Sequence, residues 1–224
     1  MASATKAQGA LQKLLKRLPT FVWWRIARRH LGACGKGVHL PRDGTYSFEN
    51  LYVGNDVHVG IGPFLSAVKS RIYLGDKVAM GPGVMIFAGN RNLGLHGKFM
   101  FDVTDAEKLP SDDKDVVIEE DVWVGGNVII TSGVRIGRGS VIGAGSVVRR
   151  SVPPYCVVAG NPARVIRARG TVAEIMAHEA ILYPPEKRLS TEQLQRVPGA
   201  CGGAMAASVN DHGDPAQRGE TGPI

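Results

Sequence analysis

The stretch FAGNRNLGLHGKF, Phe87 to Phe99, carries the residues best placed by type to do proton chemistry. It is glycine-rich and basic, and it holds one histidine, His96. An unperturbed imidazole titrates near pH 6.5 and accepts a proton around neutrality, whereas the guanidinium of Arg91, five residues earlier, stays protonated. A base in this loop is therefore His96 and not Arg91, which suits an anion or a developing negative charge. Asn90, beside it, has an amide that can donate to an oxyanion. The three cysteines, Cys34, Cys156 and Cys201, are too few for a disulfide framework and lack zinc-ligand spacing.

A second feature is electrostatic. Between Arg135 and Gly170 stand seven arginines (Arg135, Arg138, Arg149, Arg150, Arg164, Arg167 and Arg169) and no acidic residue, in a chain of net charge +7. Such a run suits a polyanion. The segment has a single aromatic, Tyr155, and no nucleic-acid motif, so a phosphorylated small molecule is expected rather than nucleic acid.

These residues sit on a repeat. Taken in sixes from Ile118 the chain reads IEEDVW, VGGNVI, ITSGVR, IGRGSV, IGAGSV; earlier, the same frame gives VGNDVH, VGIGPF, LGDKVA and MGPGVM. The first place is aliphatic, the second is often glycine, and the fifth is mostly Val or Ser. A helix would repeat at 3.6 and a strand at two. A period of six fits short extended segments joined by tight corners, with the first residue inside a coil and glycine easing the corner. One coil cannot bury its interior alone, so the repeat must stack.

This pattern resembles the hexapeptide-repeat acyltransferases, and VWVGGNVIITSGVRIGRGSVIGAGSVVRRSVPPYCVVAGNPARVI is similar to the last coils of maltose, galactoside and polysaccharide O-acetyltransferases. The resemblance implies a mainly β fold, a left-handed parallel β-helix with three hexapeptides per 18-residue turn. It also implies a homotrimer with acetyl-coenzyme A lying between neighbouring prisms and no metal. One zinc-dependent class shares the fold, but none of the six histidines (30, 39, 58, 96, 178, 212) pairs at its i, i+5 spacing. The resemblance carries the pantetheine arm onto Gly126 and Ala144, 18 residues apart. It carries the coenzyme's phosphates onto Arg149, Arg150, Arg164 and Arg167, and the adenine onto Pro162. Trp123 matches an aromatic near the acceptor.

One departure matters. Relatives read Asn-His where this chain reads Asn90-Arg91 before Gly97-Lys98-Phe99-Met100. The family base is absent there, and His96 is the replacement expected. The resemblance therefore implies acetyl transfer to a hydroxyl of a sugar or polysaccharide precursor. It leaves open a non-catalytic scaffold, or N-acetylation of a nucleotide-linked amino sugar.

The expected organisation is a basic amphipathic helical segment (1–34), the β-helix (35–169, with a loop over 89–115), a helical cap (170–198) and a disordered tail (199–224). The first segment, rich in Lys, Arg and Trp, suits either capping of the prism or contact with an anionic membrane surface that presents a lipid-linked sugar. With no membrane-length apolar run and no signal-peptide pattern, the expected location is cytoplasmic, possible membrane contact being peripheral.

Overall fold

The computed structural model describes residues 19–200. Three flat parallel sheets form the faces of a left-handed prism. The first comprises β1 (Ala33–Cys34), β3 (Leu51–Val53), β6 (Ile72–Leu74), β9 (Val116–Ile118) and β12 (Arg135–Ile136). The second comprises β4 (His58–Val59), β7 (Ala79–Met80), β10 (Trp123–Val124), β13 (Val141–Ile142), β15 (Cys156–Ala159) and β16 (Arg164–Ala168). The third comprises β2 (Thr45–Tyr46), β5 (Phe64–Ser66), β8 (Met85–Phe87), β11 (Ile129–Ile130) and β14 (Val147–Val148). All pairings are parallel except β15 with β16, which closes the coils as a hairpin.

The aliphatic first place of each hexapeptide points inward, so that Val59, Met80, Val124 and Ile142 stack as one buried column and Leu65, Ile86, Ile130 and Val148 as another. The fifth place fills the corner beneath, as Val78, Val84, Val122 and Val128 do. Ser140 and Ser146 hold that place where the coil shortens: Val124 to Ile142 spans 18 residues, Ile142 to Val158 only 16. Their buried hydroxyls bond the tightened backbone, Ser140 Oγ donating to the Pro153 carbonyl at 2.8 Å and Ser146 Oγ accepting from Gly160 N at 3.2 Å.

The second-place glycines act differently from the expectation. The left-handed corner residue lies two positions later, and at four corners it is not glycine but Asp56, Lys77, Asp121 or Asn127. The second-place glycine is required by the coil stacked above: a Cβ on Gly81 would lie 2.6 Å from Gly126 N, and one on Gly125 2.6 Å from Ala144 N.

Helix α1 (Thr20–His30) begins after Pro19 and packs Trp23 and Ala27 into the core at the N-terminal end. At the other end α2 (Val172–Leu182) and α3 (Thr191–Gln195) cover the last coil. Gly199 and Ala200, expected in the tail, belong to this cap: Ala200 is buried and its carbonyl accepts from Val172 N at 3.2 Å. Residues 1–18, most of the basic amphipathic segment, and 201–224, nearly all of the expected tail, lie outside the described residues.

Candidate active site

Ile86 and Ile130 are adjacent rungs although 44 residues separate them. The excess leaves the prism at Ala88 and returns at Val116 as an excursion with two short turns, Met100–Asp102 and Asp105–Glu107. Its own polar groups hold it in shape. Asn92 Nδ2 donates to the Glu107 carbonyl at 2.8 Å, and Lys98 Nζ lies 2.8 Å from Glu107 Oε1. The Lys98 bond, with those from the Thr104 amide and hydroxyl, holds the Glu107 carboxyl far below its usual range, at about 2. Lys108 pairs with the nearly buried Asp113 at 3.1 Å, and Lys69 Nζ ties the loop to the prism through the Asp105 carbonyl at 2.6 Å.

Within that frame the three loop residues differ in freedom. Arg91 Nη1 donates to the carbonyls of Met100 (3.1 Å) and Val103 (3.3 Å), bracing the excursion across its width. The side chain also lines a cavity of about 340 Å3 with Phe101, Val103, Thr104, Asp105 and Lys108, none of which the sequence had marked. Asn90 Oδ1 is occupied by the Arg91 amide at 2.9 Å, leaving its NH2 to donate. His96 is exposed, beside Gly97 at φ 74°, with no bonding partner among the described residues.

The arginine run splits in two. Arg135, Arg138 and Arg169 are structural: they pair with Glu119, Glu120 and Glu179, and Asp121 respectively. Arg149, Arg150, Arg164 and Arg167 have no carboxylate partner among the described residues. Arg150 and Arg164 line a cavity of about 150 Å3 with Val148, Ser151, Ala163 and Val165, and Pro162 stands in the hairpin beside it after a cis peptide bond. Arg164 and Arg167 lie on β16, with one guanidinium nitrogen each on a neighbouring carbonyl at 3.0 Å. Gly126 and Ala144 share one edge of the prism, on consecutive coils, where Gly145 N donates to the Gly126 carbonyl at 2.9 Å. That edge joins the second and third faces; Arg164 enters β16 opposite Ala159 near its end, whereas Arg149 and Arg150 follow β14 on the far side of the third face, and Trp123 projects 59% exposed from the second face. Among the described residues no three His, Cys, Asp or Glu side chains converge as metal ligands.

The bacterial transferase hexapeptide (six repeats) family matches residues 115–150. Nodulation protein L of Rhizobium meliloti (strain 1021) is 35% identical over 64% of this chain and 74% of its own length. The chain belongs to the hexapeptide-repeat acetyltransferases. The polysialic acid O-acetyltransferase of Escherichia coli O1:K1 / APEC is 36% identical over 57% of this chain, which spans 41% of that relative's length. Among solved structures, a hexapeptide-repeat acetyltransferase of Vibrio cholerae O1 biovar eltor, complexed with acetyl-coenzyme A, superposes with a TM-score of 0.60. It is 29% identical over 74% of this chain and 87% of that one.

Proposed function

We propose that the protein transfers the acetyl group of acetyl-coenzyme A to a hydroxyl of a sugar or polysaccharide precursor, working as a homotrimer. The observation that carries this reading is the small-residue edge formed by Gly126 and Ala144, in a chain whose last coils also carry four arginines without carboxylate partners. Buried or surface arginines that serve stability find acids, as Arg135, Arg138 and Arg169 do; guanidinium groups left free beside a cavity match phosphates. The coenzyme of the Vibrio cholerae relative suits that charge, and the long thin arm suits the small residues along the edge.

In the reaction His96 takes the proton of the acceptor hydroxyl as its oxygen attacks the thioester carbonyl. Asn90 Nδ2 and the remaining nitrogens of Arg91 face the oxyanion or an anionic acceptor. Collapse breaks the C–S bond, and the thiolate takes the proton back from the imidazolium. The loop brings His96 to a groove shared with a neighbouring copy. The uncovered apolar row Phe64, Met85 and Phe87 on the third face supports such a contact between copies. On α1, exposed Phe21 beside Arg25, Arg28 and Arg29 supports peripheral contact with an anionic membrane carrying a lipid-linked acceptor. Among the described residues no helix is long and apolar enough to cross a membrane.

The test is thiol release from acetyl-coenzyme A over a panel of sugars, with His96→Ala alongside. A sugar-dependent rate that falls at least about 100-fold in the variant supports the reading. A sugar-dependent rate that His96→Ala leaves intact removes His96 from it, and no rate with any hydroxyl acceptor while an amino sugar reacts replaces O- by N-acetylation.

A further inference from the structure

The long excursion leaves and re-enters the prism through a neck whose two sides are clasped together. Ala88, next after β8, presents its carbonyl to Ser70 Oγ of the preceding coil at 2.6 Å and to Ser132 Oγ of the following coil at 3.1 Å. Ser132 Oγ also accepts from the amide of Lys114, on the returning side, at 3.0 Å. Across the neck stands one carboxylate. Asp113, its side chain only 5% exposed, accepts through Oδ1 from the amide of Asn90 at 3.2 Å and holds Lys108 Nζ with both oxygens, at 3.1 and 3.2 Å. Gly89 stands between the clasped carbonyl and the clasped amide. A Cβ there would lie 2.5 Å from Asp113 Oδ1, and beyond its chain neighbours it would meet nothing but that carboxylate within 4 Å.

We infer that Asp113 is a positioning residue for acetyl transfer, and that it acts through Asn90. An ion pair with Lys108 alone would need neither the Asn90 amide nor a residue without a side chain at position 89. Both features place the backbone where the excursion begins. Asn90 is then defined from two directions: Asp113 holds its amide, and the Arg91 amide holds its side-chain Oδ1 at 2.9 Å. What remains is the NH2 group, held ready to donate. A donor for an oxyanion works by standing in place before the charge develops, and a displacement of about 1 Å costs on the order of 100-fold in rate. An ionised acceptor suits the task, because its bonds to N–H are stronger than those of a neutral oxygen. Lys108 fixes which way that acceptor points. Asp113 itself touches neither coenzyme nor acceptor. The inference rests on the acetyl-transfer reading for what Asn90 does, but the hold on the Asn90 amide is tested without substrate.

Three variants separate the hold from the charge. Gly89→Ala puts a methyl group in the place of Oδ1 and breaks the bond to Asn90, while Oδ2 keeps Lys108. Asp113→Ala removes both contacts, and Asp113→Asn keeps an oxygen for the Asn90 amide. Hydrogen exchange of that amide, in the full chain without coenzyme or sugar, should quicken at least about tenfold in Gly89→Ala and Asp113→Ala and stay within about threefold in Asp113→Asn. The Met85 amide, inside the prism, should not change in any of them. In the acetyl-transfer assay the first two variants should lower kcat about 10- to 100-fold with the KM for acetyl-coenzyme A unchanged, and Asp113→Asn should keep kcat within about threefold. Adding Asn90→Ala to either of the first two should cost nothing beyond Asn90→Ala alone. Unchanged exchange at Asn90 in Asp113→Ala overturns the inference whatever the activity. Losses that add in the double variants overturn it too, as does an Asp113→Asn variant as impaired as Asp113→Ala, which leaves Asp113 a charge partner of Lys108 only. Wild-type protein that transfers acetyl to no acceptor overturns the acetyl-transfer reading instead, a failure distinguished from that of the hold, which exchange alone decides.

Discussion

Arg91 occupies the loop position where the sequence resemblance leads one to expect a histidine, and its substitution separates bracing from chemistry. Arg91→Gln removes the donor that bonds the Met100 and Val103 carbonyls. Hydrogen bonds from charged donors contribute about 1.5–3 kcal/mol when shielded, but this side chain is exposed, and about 0.5–1 kcal/mol each is the appropriate scale. The loss of roughly 1–2 kcal/mol raises the local opening constant about 5- to 30-fold. Hydrogen exchange at the Asp102 amide, which donates to the Phe99 carbonyl at 2.9 Å, reads that opening directly. The amide of Met85, bonded to Val128 inside the prism, serves as the control and should not change. In the acetyl-transfer assay the same variant should raise KM, with kcat falling less than about tenfold. Unchanged exchange at Asp102 refutes the brace. A 100-fold loss of kcat with exchange intact would assign the guanidinium to the oxyanion and not to the brace.

Three further outcomes follow from particular contacts. Glu179 is 1% exposed and accepts from Arg138, Tyr155 and the Leu189 amide, so Glu179→Ala strands the Tyr155 hydroxyl and the Leu189 amide, leaves Arg138 with Glu120 as its one carboxylate among the described residues, and should cost about 3–5 kcal/mol, seen as loss of cap protection in hydrogen exchange and a lower Tm. Burial pushes the Cys156 thiol up to about 11, so at pH 8 it should react with a thiol reagent only after denaturation; rapid labelling of the folded protein contradicts its placement. The depressed carboxyl of Glu107 contributes to loop order that is present above the unfolded carboxylate range and lost only as pH falls through about 2. Exchange protection at the Thr104 amide should therefore persist at pH 4, and its loss between pH 5 and 4 would contradict the clasp.

The prism was legible because its inward residues are fixed by a period that neither helix nor strand shares. Val124, Ile130, Ile136 and Ile142 declare it without reference to anything distant. The second-place glycines were legible as necessary but not in their reason, since the backbone that forbids a Cβ on Gly81 belongs to Gly126, on the far side of the long loop. The arginine run read as one patch because sequence spacing carries no information on which guanidinium meets Glu119, Glu120 or Asp121. His96 and Arg91 were visible as residue types, but their roles depend on a loop whose shape comes from pairs such as Lys98 with Glu107 and Lys108 with Asp113.

The central claim is that the Gly126–Ala144 edge and the free arginines of the last coils hold acetyl-coenzyme A, and calorimetric titration of the coenzyme into the full chain tests it without any assumption about the acceptor. Saturable binding that weakens at least about tenfold in Arg149→Ala/Arg150→Ala, with the fold unchanged by circular dichroism, is the result the account predicts. No binding to the folded wild-type protein, or binding indifferent to both arginines, would contradict it.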